Sequence, residues 1–339
     1  MRTSDFDYIL PADRIAQTPV EPRHASRLMV LRRDDPRIEH AAFWDLDRYL
    51  RSGDLQVFNQ TRVLPARLHA QKPTGGRVEI LLLDRLDETR WRALVGGKRV
   101  KSGMLLSLPG GPDAMVEEEL DGARRIIRFG EAVEPYLDVI GEMPLPPYIH
   151  TRLQDPGRYQ TVFARHKGSS AAPTAGLHFT SELLDKLQSQ GINAAWVTLH
   201  VGLDTFAPLS VDNPRDHIIH TEWCQVTHQV VEAVSATHTN GGRVIAVGTT
   251  SVRALETAAA AAADGELLSA FQGATSLYIL PGYKFRLVDA MLTNFHLPRS
   301  TLLMMVSAFA GRERILDAYQ VAIRENYRFY SFGDAMLIL

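Results

Sequence analysis

A single cysteine, Cys224, in 339 residues excludes an intrachain disulfide and any zinc-ribbon spacing, so a metal site would have to be built from histidines and carboxylates. Long apolar runs are also missing. The longest uncharged apolar stretch near the end, "LLMMVSAFA", is too short to cross a bilayer. The opening "MRTSDFDYIL" is too acidic and too poor in apolar residues for a secretion signal, which leads us to expect a cytoplasmic protein with no membrane partner. Net charge is only −2, which argues against bulk electrostatic binding of nucleic acid. No internal repeat is visible, no low-complexity tract beyond the alanine run at 258–263, and no G-x-x-x-x-G-K-[ST] phosphate loop.

What is present is an ordinary globular composition, 45% hydrophobic and 22% charged, in a chain long enough for two domains. Its charge is unevenly spread. Between Gln60 and Leu105 ten Lys and Arg face four acids, whereas 116–142 carries eight acids and three Arg. A local basic region on a nearly neutral chain suits a polyanion docking in one place, although solvated strand faces would look the same.

Residues 55–130 read as short strands, "ARLHAQ", "GRVEILLLDRL", "RWRALV", "MLLSL", "AMVEEEL" and "ARRIIRF", separated by turns such as "PTGG" and "PGGPD". Strands at this spacing without helices predict a small antiparallel barrel or sandwich. The prolines of "GEMPLPPYI" then forbid a helix and mark a boundary. Beyond 160, strands and helices alternate. "SELLDKLQSQG", "QVTHQVVEAVSATHTNGG", "SVRALETAAAAAA" and "STLLMMVSAFAG" read as helices, "INAAWVTLHV", "RVIAVG" and "SLYIL" as strands. We therefore expect an α/β domain with an open sheet beyond that boundary and a small antiparallel barrel or sandwich before it.

In an open α/β sheet, ligands sit at the carboxyl ends of the strands, and unusual polar residues cluster there in this chain. "INAAWVTLH" ends in His200. "RVIAVG" runs into Thr249, Thr250 and Arg253 at a helix start, where free N–H groups favour an anion, although Thr and Ser before a helix also serve as simple caps. "LTNFHLPRS" brings Asn294 and His296 before the next helix, and "AAPTAGLHFT" carries His178 among residues small enough for close backbone approach. "HIIHTE" offers His217, His220 and Glu222; the two histidines would share a helical face, but the spacing is not that of H-E-x-x-H and no third ligand is evident. Several histidines around one pocket would supply proton donors and acceptors near neutral pH.

The blocks "FDYILPADRIAQTPVEPRHASRL", "GEMPLPPYI", "GSSAAPTAGLHFT", "TLHVGLDTFAPL", "HTEWCQV", "IAVGTTSVRALE", "TNFHLPRSTLLMMVSAFAG" and "YRFYSFGDAMLIL" resemble, in order, the S-adenosylmethionine:tRNA ribosyltransferase-isomerase family of queuosine biosynthesis. The resemblance runs from Phe6 to Leu339 and departs at Gln60, Ser170, Asp204 and Ala274, where Asp, Val, Gly and an aromatic residue are expected. It implies an α/β main domain with an open mixed sheet, residues 1–59 and 149–339, interrupted at 60–148 by an inserted antiparallel β-barrel, and transfer and isomerisation of the ribosyl group of S-adenosylmethionine, a co-substrate, onto 7-aminomethyl-7-deazaguanine in the anticodon stem-loop of tRNA, with no prosthetic group and no metal. In that chemistry the sulfonium acidifies C5′, and His178 or His200 would be the base. His296 with Asn294 would assist at the ribose or adenine. Thr249, Thr250 and Arg253 would hold the methionine carboxylate, and the backbone around Thr174 and Gly176 would lie against the cofactor. Arg62, Lys98, Arg99, Lys101, His217, His220 and Glu222 would face the tRNA substrate. A non-catalytic RNA-binding protein and a metal-dependent hydrolase built on His217, His220 and Glu222 are the competing readings.

Overall fold

The computed structural model describes residues 1–202 and 209–339; Asp204 of the "HVGLDTF" stretch lies outside the described residues. Two compact units emerge, one formed by Met1–Thr61, Pro147–His166 and Ala172–Leu339, the other by Arg62–Pro146 with Lys167–Ala171. The last short segment is not foreshadowed by the proline-rich boundary. It belongs to the second unit because the Leu64 N–H donates to the Ser169 carbonyl and Lys167 pairs with Asp138 at 2.9 Å.

In the larger unit, the described strands form a nine-stranded mixed sheet in the order Phe271–Thr275, Glu222–Val226, Asn193–Leu199, Leu55–Asn59, Val244–Val247, Ala290–Asn294, Ala335–Ile338, Arg27–Arg32 and Asp35–Ala42. Asn193–Leu199, Leu55–Asn59, Val244–Val247 and Ala290–Asn294 run parallel, so their carboxyl ends share one edge. Their central residues are apolar on both sides, as a strand covered on both faces requires. On one face Leu28, Val30, Phe58, Ile245 and Leu292 pack with Phe43, Phe179 and Leu183.

Helix Ser181–Ser189 starts where the Thr180 hydroxyl accepts from the Leu183 N–H, and helix Thr301–Ala310 where Ser300 does the same for Leu303. Helix Thr249–Ala260 is buried through Ala259, which explains its run of small residues. Helix Arg312–Arg324, not singled out above, buries Ile315, Ala318, Tyr319 and Ala322 at helical spacing.

Two element assignments need correction. "SLYIL" is not a strand; the edge strand is Phe271–Thr275, one segment earlier, paired antiparallel to Glu222–Val226. The Thr275 hydroxyl accepts the Leu277 N–H and the Arg253 guanidinium takes the Leu277 carbonyl, which turns the chain away from the ladder. "QV" at 225–226 completes the strand Glu222–Val226, so the following helix begins at His228.

The smaller unit is a curled seven-stranded antiparallel sheet, with Gln71 and Ser107 exchanging two backbone hydrogen bonds of 2.9 Å. Its alternating pattern buries Leu68, Ile80, Leu82, Trp91, Val116 and Ile127 in a core of its own.

Candidate active site

A cavity opens in the larger unit, at the shared carboxyl edge of the parallel strands. Its wall takes Pro173, Thr174 and Ala175 from the loop before Ser181, and Val201 from beyond the strand Asn193–Leu199. Gly248, Thr249 and Thr250 follow the strand Val244–Val247, Asn294 and His296 stand at the end of Ala290–Asn294, and Tyr148, Tyr330 and Ser331 complete it.

Thr250 is buried, and its hydroxyl is without a hydrogen-bond partner among the described residues. It lies in the first turn of the twelve-residue helix Thr249–Ala260, behind Gly248, whose φ of +90° is open to glycine alone without strain. Orphan backbone N–H groups and the helix dipole give this corner a positive character.

Asn294 is held on three sides. Its side-chain amide donates to His178 Nε2 at 3.1 Å and to the Tyr330 carbonyl at 3.1 Å, while its Oδ1 accepts from the Thr174 hydroxyl at 3.0 Å. Both amide hydrogens are therefore used, and the oxygen faces Thr174. Tyr330 has φ +71°, an unusual conformation for a bulky residue. Since Nε2 of His178 accepts, its Nδ1 carries the proton and donates to the Ser26 hydroxyl at 2.8 Å. The ring is buried, stacks on Phe43, and is held at a pKa of about 3 by burial and then by Arg23 and Arg328. A ring with both nitrogens engaged in the fold is a poor base, and in this geometry His178 fixes the Asn294 amide.

His296 stands in the cavity wall. Its backbone N–H donates to the Tyr319 hydroxyl and its carbonyl accepts from Tyr8, while Nε2 lies 2.8 Å from the Thr293 hydroxyl. Thr293 gives its own proton to the Asn294 carbonyl, so Nε2–H donates and Nδ1 is left as an acceptor. Among the described residues Nδ1 has no partner. Burial holds this imidazole at about 3, hence neutral.

The other sequence candidates lie apart from the cavity wall. His200 bonds Thr61 through Nδ1 at 2.8 Å and stacks on Trp223; burial and then His166 bring it to about 4. Gly176 faces protein instead of cavity, because a Cβ there would meet Phe163 at 2.8 Å and Thr161 at 2.9 Å. Arg253, expected to hold a carboxylate, gives Nη1 to a buried ion pair with Glu222, which also accepts the Gly202 N–H at 3.0 Å, while its buried Nη2 has no partner among the described residues. Glu222 is thereby engaged within the fold, and no group of three or more metal-ligating side chains occurs among the described residues. His217 and His220 lie in a non-helical segment and share no helical face; His217 packs edge-on to Tyr278, and burial followed by His220 lowers its pKa.

In the smaller unit, Arg67, Arg85, Arg90 and Arg92 are paired with Glu79, Glu134, Asp87 and Asp84. Lys98, Arg99 and Lys101 are exposed on one turn and Arg62 on the short strand Thr61–Val63, with no carboxylate partner among the described residues. Tyr8, Ser26, Tyr319 and Tyr330, which position the site's histidines and Asn294, escape sequence reasoning because their partners are distant in the chain. The periodicity of "RERILDAYQVAIR" is the one signal that points to Tyr319.

A cavity with an anion-favouring helix start and a neutral imidazole, on the carboxyl edge of a mixed sheet, defines an α/β protein with a candidate ligand site at that edge. The family profile described as "Queuosine biosynthesis protein" matches residues 3–338. The chain is 54% identical over 345 residues to the S-adenosylmethionine:tRNA ribosyltransferase-isomerase of Moorella thermoacetica and 49% identical over 344 residues to that of Aquifex aeolicus, covering all of each. A crystal structure of the S-adenosylmethionine tRNA ribosyltransferase of Thermotoga maritima, 41% identical, is similar with a TM-score of 0.58 over 99% of this chain and 100% of that one. The chain belongs to the queuosine biosynthesis protein family.

Proposed function

We propose that the chain transfers and isomerises the ribosyl moiety of S-adenosylmethionine onto 7-aminomethyl-7-deazaguanine at the wobble position of tRNA, giving epoxyqueuosine-tRNA with release of adenine and methionine. The full-length family match supports the reaction, and one observation carries the placement of its chemistry. His296, with an unengaged Nδ1, shares a cavity with the helix start at Thr249–Thr250. That helix start receives the methionine carboxylate. His296 removes a C5′ proton made acidic by the neighbouring sulfonium, after which adenine departs, the tRNA amine attacks C5′, and methionine leaves as the epoxide closes. Burial weakens the imidazole as a proton acceptor but keeps it unprotonated at every working pH. Asn294, locked by His178, presents only its oxygen to a ribose hydroxyl. Free adenine should appear when enzyme, S-adenosylmethionine and tRNA carrying the aminomethyl base are combined, and not when either substrate is omitted. Tight binding of both without adenine would favour a non-catalytic RNA-binding protein.

Thr250→Val should weaken S-adenosylmethionine binding by about 1.5–3 kcal/mol, the value of a hydrogen bond to a charged group, and Thr250→Ser should restore it. Calorimetry decides; unchanged affinity in the Val variant would move the carboxylate elsewhere.

The curled unit, read as the inserted barrel, contributes the turn Lys98–Lys101 to the anticodon stem-loop surface, since its cations have no carboxylate partner among the described residues. Reversal of Lys98, Arg99 and Lys101 to Glu should weaken tRNA binding and reduce the log–log salt slope by roughly 0.7–0.9 for each true phosphate contact. S-adenosylmethionine affinity should not change. Equal tRNA affinity and slope in the variant would remove this turn from the interface.

A further inference from the structure

Trp223 is a large aromatic residue left 37% exposed on the strand Glu222–Val226. Its indole stacks on His200 with ring centroids 5.1 Å apart and planes 19° from parallel, and its carbonyl accepts the His200 N–H at 2.9 Å. His200 is in turn fixed by Thr61, so the pair is held from behind. Directly across the ladder stands Ala274, too small to cover an indole, where the family resemblance leads us to expect an aromatic residue. Two positions on, Gln225 donates to Gln272 at 3.1 Å, which leaves one carbonyl and one amide group of that pair unengaged among the described residues. The exposed Arg165 lies on the His200 side, next in the chain to His166, whose carbonyl is 3.5 Å from the Thr61 hydroxyl that holds His200, and its guanidinium has no carboxylate partner among the described residues. Val201, next to His200, is part of the cavity wall.

A rigid, half-open aromatic face with amide groups alongside and the Arg165 guanidinium near it is the chemistry that holds an unpaired nucleobase: stacking on the ring, hydrogen bonds at the base edge, phosphate near the guanidinium. We propose that Trp223, backed by His200, is a stacking platform for one unpaired base of the tRNA substrate, next to the cavity in which the reacting base is processed. This assignment rests on the reading of the chain as a tRNA-modifying enzyme. It also gives His200 a role as the support of the platform.

Trp223→Ala should raise the Kd for an anticodon stem-loop transcript by about 5- to 150-fold, the range that one base–aromatic stack is worth, whereas Trp223→Phe should restore most of the affinity. Because stacking releases no counterions, the salt slope should not change, and calorimetry should give an unaltered S-adenosylmethionine affinity. Trp223→Leu keeps apolar bulk on the strand and removes only the aromatic face; it too should weaken the transcript, and it tests the idea even if Trp223→Ala fails to fold. Transcript affinity unchanged in Trp223→Leu, or in a Trp223→Ala variant that still binds S-adenosylmethionine, would overturn the platform while leaving the functional reading intact. Absence of transcript binding by the unaltered chain would overturn that reading and the platform with it.

Discussion

His296→Ala should lower the rate of adenine release by about 10²- to 10⁴-fold, the usual cost of removing a general base, with S-adenosylmethionine affinity nearly unchanged. The fold should survive, because the hydrogen bonds from Tyr8 and to Tyr319 use the backbone of residue 296 and persist in the variant. Loss of the ring removes one contact to Thr293 and the only cavity-wall imidazole among the described residues. The pH profile gives a second check. A histidine whose pKa is lowered is neutral above that value, so with His296 at about 3 the base form is fully present from about pH 5 upward. This group should therefore impose no acid limb between about pH 5 and 8, where an unperturbed imidazole would impose one near 6.5. A loss below tenfold in His296→Ala would place the base on another residue.

Arg253→Ala should destabilise the protein by about 3–5 kcal/mol, since it leaves the Glu222 carboxylate buried without its cation. The paired replacement Arg253→Met with Glu222→Leu should recover most of that loss, because apolar groups of similar volume no longer strand a charge. Urea unfolding measures both. The same double variant separates two roles for Arg253: if the ion pair is structural, S-adenosylmethionine affinity in the refolded double variant matches that of the parent. A variant that keeps its stability but loses cofactor affinity would restore Arg253 as the carboxylate ligand and displace Thr250.

These two residues show what the sequence makes legible. Strand ends followed by Thr249–Thr250 and by Asn294–His296 are local patterns, and the rule that ligands gather at the carboxyl edge of a parallel sheet converts them into one pocket without knowledge of the packing. The alternation in the curled unit is equally local, which is why its strands can be read from turn to turn. Arg253 and His178 are different. Each occurs where a ligand-facing residue would, and each is captured by a partner distant in sequence, Glu222 in one case and Ser26 in the other. No spacing rule reveals a partner 31 or 152 positions away. Gly176 errs for a related reason: smallness suits close approach by a ligand and by Phe163 alike, and only packing distinguishes them. The edge strand slipped to Phe271–Thr275 because "SLYIL" is the more apolar run, yet side-chain bonds from Arg253 and Thr275 take up its backbone groups.

The most direct measurement follows the ribose itself. S-adenosylmethionine carrying isotope in its ribosyl carbons is incubated with the protein and tRNA bearing 7-aminomethyl-7-deazaguanine, and the tRNA is then digested to nucleosides for mass spectrometry. The label should arrive intact in the wobble nucleoside, one ribosyl-derived unit per adenine released, and the transfer should disappear in His296→Ala. Adenine released without label in the tRNA, or label transferred at the parent rate by His296→Ala, would contradict the account of this site.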